Sequence, residues 1–474
     1  MVHPKIIQGG MGAGVSGWKL ANAVSRLGGL GVVSGTAIEV IMVRKLQDGD
    51  LDGSVRRSLS KFPNQEIVKD IISEYFVEGG IKNNSYKQIP MFSLNAGYKL
   101  KALSIAASFG EVTLAKEGHN GKVGINVLEK IQLPNIYILY GAILAGVDYV
   151  IMGAGIPREI PGIVDALSLN KKSKLKVYVE NATLDDQYVM ELDPKDFVDV
   201  SKLTPLKRPF FLPIVSSNTL AVTMAKKSNG RVDGFVIEYP SAGGHNAPPR
   251  VKGEFNEIGE PVYGPKDYID LEKIKDLGLP FWLGGSYGEP GGIKRALALG
   301  ATGIQVGTAF AFCEESGFTE DIKKKAITLA KRGIGKVFTD VSVSPTGFPF
   351  KVLSLSGTLS EKEEYEKRVR ICNLGYLRQI VKKDDGCLVY RCPAEPETQF
   401  VEKGGDIEKT KGCKCLCNAL IANVGFPTRY RNGYLEAPLI TVGDCFNSIK
   451  EFFKNSISET YSALDVMSKL LMES

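Results

Sequence analysis

The sequence predicts an α/β protein: a TIM-type (β/α)8 barrel followed by a C-terminal helical, Cys-rich extension. Three observations carry this. Short apolar runs recur between helix-like patterns over residues 1–335. Several of these runs end directly in glycine. The last two, Pro280-Phe-Trp-Leu-Gly-Gly285 and Gly303-Ile-Gln-Val-Gly-Thr308, repeat a strand–Gly–helix design about 20 residues apart. Such a pair builds the phosphate corner of a (β/α)8 barrel, where glycine lets backbone N–H groups approach an anion.

Taken in order, strands are expected at Ile6–Gln8, Gly31–Ser34, Val123–Val127, Tyr149–Met152, Phe211–Val215, Gly234–Glu238, Phe281–Leu283 and Gly303–Val306. Their Val/Ile content suits parallel strands buried on both faces. Residues 40–120 exceed one crossover, so extra helices are expected there. Residues 170–208 read as an inserted hairpin of Val177–Glu180 and Tyr188–Leu192. Residues 246–272 read as a Pro/Gly/charge-rich loop able to cover a site. The barrel is expected to end near Arg332, giving regions 1–335 and 336–474. Beyond it, helices are expected over Glu361–Ile380 and Ser448–Met472.

Composition narrows the classes. Hydrophobic residues make up 43% and charged residues 24%, as in ordinary globular proteins. The net charge of +6 is spread without a dense basic run, so nucleic acid is not an expected partner. No signal peptide or membrane span is read, which makes the cytoplasm the expected location. There, 8 cysteines are expected to be thiols or metal ligands rather than structural disulfides.

The chain has 3 histidines, and His245 stands out because Ser241-Ala-Gly-Gly precedes it at a strand end. The glycines let a flat ligand lie against the backbone. The imidazole can then reach over it and take a proton from a carbon acid. The plainer reading is a loop histidine that only hydrogen-bonds ligand or backbone. His119 reads as a surface or capping residue.

Cysteines crowd one segment: Cys387, Cys392, Cys413, Cys415 and Cys417, spaced C-x4-C-x20-C-x-C-x-C. Thiolates so grouped can hold Zn or an iron–sulfur cluster, with Cys392, Cys413, Cys415 and Cys417 as the ligand set. The alternative is buried or surface thiols, or a disulfide formed on isolation. Cys313 and Cys372 sit in helical patterns and read as core. The aromatic, Pro-rich loop Ser344–Phe350 either caps a substrate or staples the extension to the barrel.

As a set, the strand ends Ile7–Gly12, Leu30–Gly35, Val123–Asn126, Ala242–His245, Leu283–Gly285 and Gln305–Thr308 resemble the nitronate monooxygenase (2-nitropropane dioxygenase) family. That family is related to FMN-dependent enoyl reductases. The resemblance covers residues 4–335 and implies an FMN barrel. It places the backbone of Gly9, Gly10, Met11 and Gly12 against the flavin and Asn126 in hydrogen bond to it. Gly243, Gly244, Gly284 and Gly285 would permit close approach. Gln305, Val306, Gly307 and Thr308 would hold the phosphate, and His245 would be the base.

Two departures concern the substrate. Glu238 stands where the family often has Gln, and Asn246-Ala-Pro-Pro-Arg250 follows the histidine. The plain reading of Glu238 is a strand-end carboxylate paired with Lys or Arg. The resemblance implies oxidation of a small carbon acid such as a nitronate by dioxygen. The alternatives are an NAD(P)H-dependent enoyl-thioester reductase, or a non-catalytic flavin-binding module with a structural metal. A small-molecule substrate is expected in the first two, and homo-oligomerisation is left open.

Overall fold

The computed structural model describes residues 3–82, 85–430, 433–455 and 457–472. Its strands are β1 (Ile6–Gln8), β2 (Gly31–Ser34), β3 (Val123–Leu128), β4 (Tyr149–Gly153), β5 (Ser173–Lys176), β6 (Val189–Leu192), β7 (Phe210–Val215), β8 (Phe235–Glu238), β9 (Phe281–Gly284) and β10 (Gly303–Val306). Four more follow: β11 (Val337–Asp340), β12 (Phe350–Leu353), β13 (Gln379–Lys382) and β14 (Leu388–Arg391). Eight of these form one parallel sheet in the order β1-β10-β9-β8-β7-β4-β3-β2. A bridge between Ile7 and Leu30 closes it into a barrel. Leu30 N–H donates to Ile6 at 2.9 Å, and Gln8 N–H donates to Leu30 at 2.9 Å. All eight expected barrel strands are present, within a residue or two at each end.

Period-2 alternation divides the strand side chains between two layers. Ile7, Val32, Tyr149, Ile151, Leu212, Val236 and Trp282 fill the barrel interior. Ile6, Val33, Ile125, Val150, Phe211, Ile237, Leu283 and Ile304 join the larger core under the helices. The N-terminal end of the barrel is plugged. Trp282 Nε1 donates to the Pro4 carbonyl at 2.8 Å. The His3 ring packs edge-on to Trp282 at 5.6 Å, with Nδ1 3.0 Å from the Tyr149 hydroxyl. Any site is thereby confined to the opposite, C-terminal rim.

Three expectations are corrected. The inserted hairpin pairs β5 with β6, Ser173 opposite Leu192, so its first strand lies earlier than Val177–Glu180. Val177 N–H still donates to the Tyr188 carbonyl at 2.8 Å, as expected, but by Glu180 the segment has left the hairpin and bridges to Val381 of β13. The helix expected over Glu361–Ile380 covers only Lys362–Glu366. Beyond it, Arg368 is buried against Glu436 at 2.6 Å, and Arg370 donates to the carbonyls of Pro393, Glu395 and Thr410. A surface helix would have left both side chains in water. Cys372 is therefore not helical. The last helix is Ala463–Met472, and Asp444–Phe452 is a separate 3-10 stretch. Ser462 and Asp465 form a reciprocal cap that starts the last helix afresh, a Ser-x-x-Asp signal present in the sequence.

The region after residue 335 is bound to the barrel rim. β11 and β12 form a hairpin, and Lys351 N–H donates to Gly244 at 3.0 Å. Tyr461 OH donates to the Ala309 carbonyl at 2.7 Å. Among the described residues, no helix is long and apolar enough to cross a membrane.

Candidate active site

At the C-terminal rim a cavity opens, and every residue expected to touch the flavin lines it. Gly9, Gly10, Met11 and Gly12 come from the end of β1, and Asn126 from β3. Glu238, Gly243, Gly244 and His245 come from β8 and its loop. Gly284 and Gly285 follow β9, and Gln305, Val306, Gly307 and Thr308 close the ring at β10. These positions span about 300 residues of chain, so only barrel closure brings them together.

The cavity is built for a flat, close-lying ligand. A Cβ on Gly10 would lie 2.1 Å from Asn126 Cβ, so glycine is what lets Asn126 reach over the β1 loop. Gly285 has φ +94°, a conformation side chains avoid, and turns the backbone along the rim. Gln305 Oε1 is buried without a hydrogen-bond partner, an acceptor aimed where a ligand donor would sit. The lining carries no Lys or Arg, so backbone N–H groups and neutral side chains must hold any anion.

His245 is fixed from the far side of the chain. Its Nε2 lies 2.7 Å from Ser344 Oγ, which in turn lies 2.8 Å from Thr346 Oγ1. The Phe350 ring stands edge-on at 4.8 Å. Burial lowers the imidazole to about 4. The ring is therefore neutral at neutral pH, with an available lone pair and little basicity. This corrects the expectation of titration near neutrality: among apolar neighbours, nothing compensates the imidazolium.

Glu238 does not pair with Lys or Arg. It forms no ion pair or side-chain hydrogen bond among the described residues, and burial lifts it to about 8. The carboxyl is thus a neutral hydrogen-bond donor at pH 7 rather than a carboxylate. Cysteine and threonine from the extension complete the wall. Cys445, Thr441, Val442 and Gly443 line the cavity. Gly443 N–H donates to Thr308 Oγ1 at 2.9 Å, and Gly244 N–H donates to Thr441 Oγ1 at 2.7 Å. The sequence reading missed these residues. Their only signal is an apolar run ending in glycine, a pattern that recurs at many other places in the chain.

His119 caps its own helix, with Nε2 2.7 Å from the Ala115 carbonyl and Nδ1 accepting from Gly121 N–H at 3.0 Å. Cys313 is buried core. The expected Zn or iron–sulfur ligands Cys392, Cys413 and Cys415 share one buried cluster, with Cys417 packed on it, and Cys387 is exposed. Among the described residues, however, no group of three or more His, Cys, Asp or Glu is arranged to hold a metal ion. The set expected from spacing fails because a helix starts at Leu416. Cys417 lies on that helix, whereas Cys413 and Cys415 precede it.

A flavin-dependent oxidoreductase on a closed β/α barrel is the class that this fold and cavity define. The model of the nitronate monooxygenase family matches residues 174–359 of the chain. No curated protein matches the chain. Among solved structures, the enoyl reductase domain of MlnA, from the macrolactin cluster of Bacillus amyloliquefaciens, is 10% identical. That match covers 99% of this chain and 93% of that one, with a TM-score of 0.50. FabK from Thermotoga maritima is 17% identical over 100% and 93% of the two chains, TM-score 0.47. Nitroalkane oxidase from Streptomyces ansochromogenes is 15% identical over 99% and 95%, TM-score 0.47. At these identities the MlnA domain bears on the fold alone, and the other two carry no argument.

Proposed function

We propose that the chain binds FMN in the rim cavity and oxidises a small carbon acid, most simply a nitronate, with dioxygen as acceptor. The observation that supports this is the convergence of His245 with the glycine loops, Asn126 and Gln305 on one cavity. Gly9–Gly12 and Gly284–Gly285 would lie along the isoalloxazine, and Gln305–Thr308 would hold the phosphate. Bound FMN supplies the two-electron chemistry.

The protein's own residues set orientation and protonation. A neutral imidazole fixed by Ser344 accepts or donates one hydrogen bond over the ring plane. Its weak basicity suits a substrate that arrives already ionised, as a nitronate does, better than an unactivated carbon acid. Neutral Glu238 donates a hydrogen bond without placing a negative charge beside the cofactor. Phe350 keeps water from the imidazole.

His245→Ala is expected to keep FMN and lose turnover of nitronate, followed as oxygen uptake. Full activity in that variant would remove His245 from the reaction. The second reading, an NAD(P)H-dependent enoyl-thioester reductase, draws support from a separate cavity of about 460 Å³ that reaches Ser344. Lys130, Tyr178 and Arg378 also line it, so an extended, anionic arm of a substrate would have cationic side chains to lie against. Anaerobic bleaching by NADPH, followed by reoxidation with an enoyl thioester and no oxygen uptake with nitronates, would select this reading.

A further inference from the structure

Cys372, far from the other cysteines in sequence, comes back to them in space. All six pairs among Cys372, Cys392, Cys415 and Cys417 are near enough to interact electrostatically. Cys392 and Cys415 are in the same buried cluster, and Cys417 packs on it. Three separate chain segments thus deliver four thiols to one place, inside a stretch that holds little regular secondary structure.

The surroundings are those of an anionic centre. Arg368 is buried beside Cys415, its Nε bonded to Glu436 at 2.6 Å, and its Nη2 is buried with no partner. An unpaired guanidinium N–H in the interior is costly unless an anion faces it. Asn418 Nδ2 donates to Cys415 Sγ at 3.5 Å and to Asn373 Oδ1, next to Cys372, at 2.8 Å.

Zn fits poorly. With Zn–S near 2.3 Å, four sulfurs stand only about 3.8 Å apart, and no group here is gathered to hold one ion. An iron–sulfur cluster gives each thiolate its own iron and needs a wider frame. We propose that Cys372, Cys392, Cys415 and Cys417 ligate a [4Fe–4S] cluster, with Cys413 outside the ligand set. Arg368 would face the cluster's negative charge. The site adjoins the proposed flavin cavity: Cys417 packs on a buried cluster that includes Ala13 of the β1 loop. One turn further along the same helix, about 5 Å of rise, Leu420 lines the cavity.

The test is iron and acid-labile sulfide content of the full chain purified without oxygen, with electron paramagnetic resonance after dithionite reduction. About four iron and four sulfide per chain are expected. They should be lost in Cys372→Ser and Cys415→Ser and kept in Cys413→Ser. Flavin content of the same samples reports whether the barrel has folded and stands apart from the cluster assay. If a serine variant loses flavin as well, anaerobic reconstitution of the unsubstituted protein with ferrous iron and sulfide decides the matter. Stoichiometric zinc without sulfide overturns the proposal, as does an absence of metal that persists after reconstitution. Iron lost in Cys413→Ser but kept in Cys372→Ser overturns the ligand set.

Discussion

Replacing Glu39 with Gln should flatten the dependence of stability on pH between about 4.5 and 7. Glu39 is 0% exposed, and neither carboxyl oxygen has a hydrogen-bond partner. Tyr376 and Ser104 are polar neighbours that lower the carboxyl less than burial raises it, and the Tyr376 hydroxyl is itself unpartnered. Burial lifts the carboxyl from 4.5 to about 7. The sign follows from linkage. The folded state holds the proton more tightly, so stability is highest below the unfolded value of 4.5 and falls as pH rises to about 7. At about 1.4 kcal/mol per pH unit, the loss amounts to about 3 kcal/mol. Gln cannot ionise and should remove that slope. The assay is urea unfolding of both proteins across pH 4 to 8, read as the difference between them. Parallel curves would show that Glu39 finds a counter-ion or water in solution and would refute the reasoning. The position matters because Glu39 lies three residues after Thr36 of the rim cavity, and Tyr376 belongs to the extension. Ionisation would therefore loosen the seam between them.

Gly10→Ala would place a Cβ 2.1 Å from Asn126 Cβ, forcing Asn126 or the β1 loop to move. Flavin binding is expected to weaken at least about tenfold, equivalent to about 1.4 kcal/mol, as read by fluorescence titration; unchanged binding would show that the close approach is dispensable. The pH profile of kcat/KM should be a plateau. His245 loses its lone pair to a proton only as pH falls through about 4, and Glu238 loses its proton as pH rises through about 8. A single inflection near 6.5 would instead indicate a solvated histidine.

The barrel was legible because its strands are buried on both faces. That forces runs such as Val123–Val127 and Phe281–Leu283 to be apolar, and the rim demands glycine directly after them. The cavity-lining residues were legible for the same reason: Gly10, Gly285 and His245 lie at strand ends, where local sequence and barrel topology coincide.

The extension was not legible. Its expected helix over Glu361–Ile380 gave way to buried arginine contacts, and Cys372 reached Cys392, Cys415 and Cys417 through loops without periodicity. The protonation states also escaped a linear reading. His245 and Glu238 carry ordinary side chains in an ordinary sequence, and only burial at the rim keeps both neutral. Sequence alone determined the (β/α)8 barrel, the order of its strands and the glycine rim, because those follow from short-range burial patterns. Tertiary structure alone decided which extension residues close the cavity, which thiols meet and which groups hold their protons. Those depend on desolvation by chain segments hundreds of residues apart.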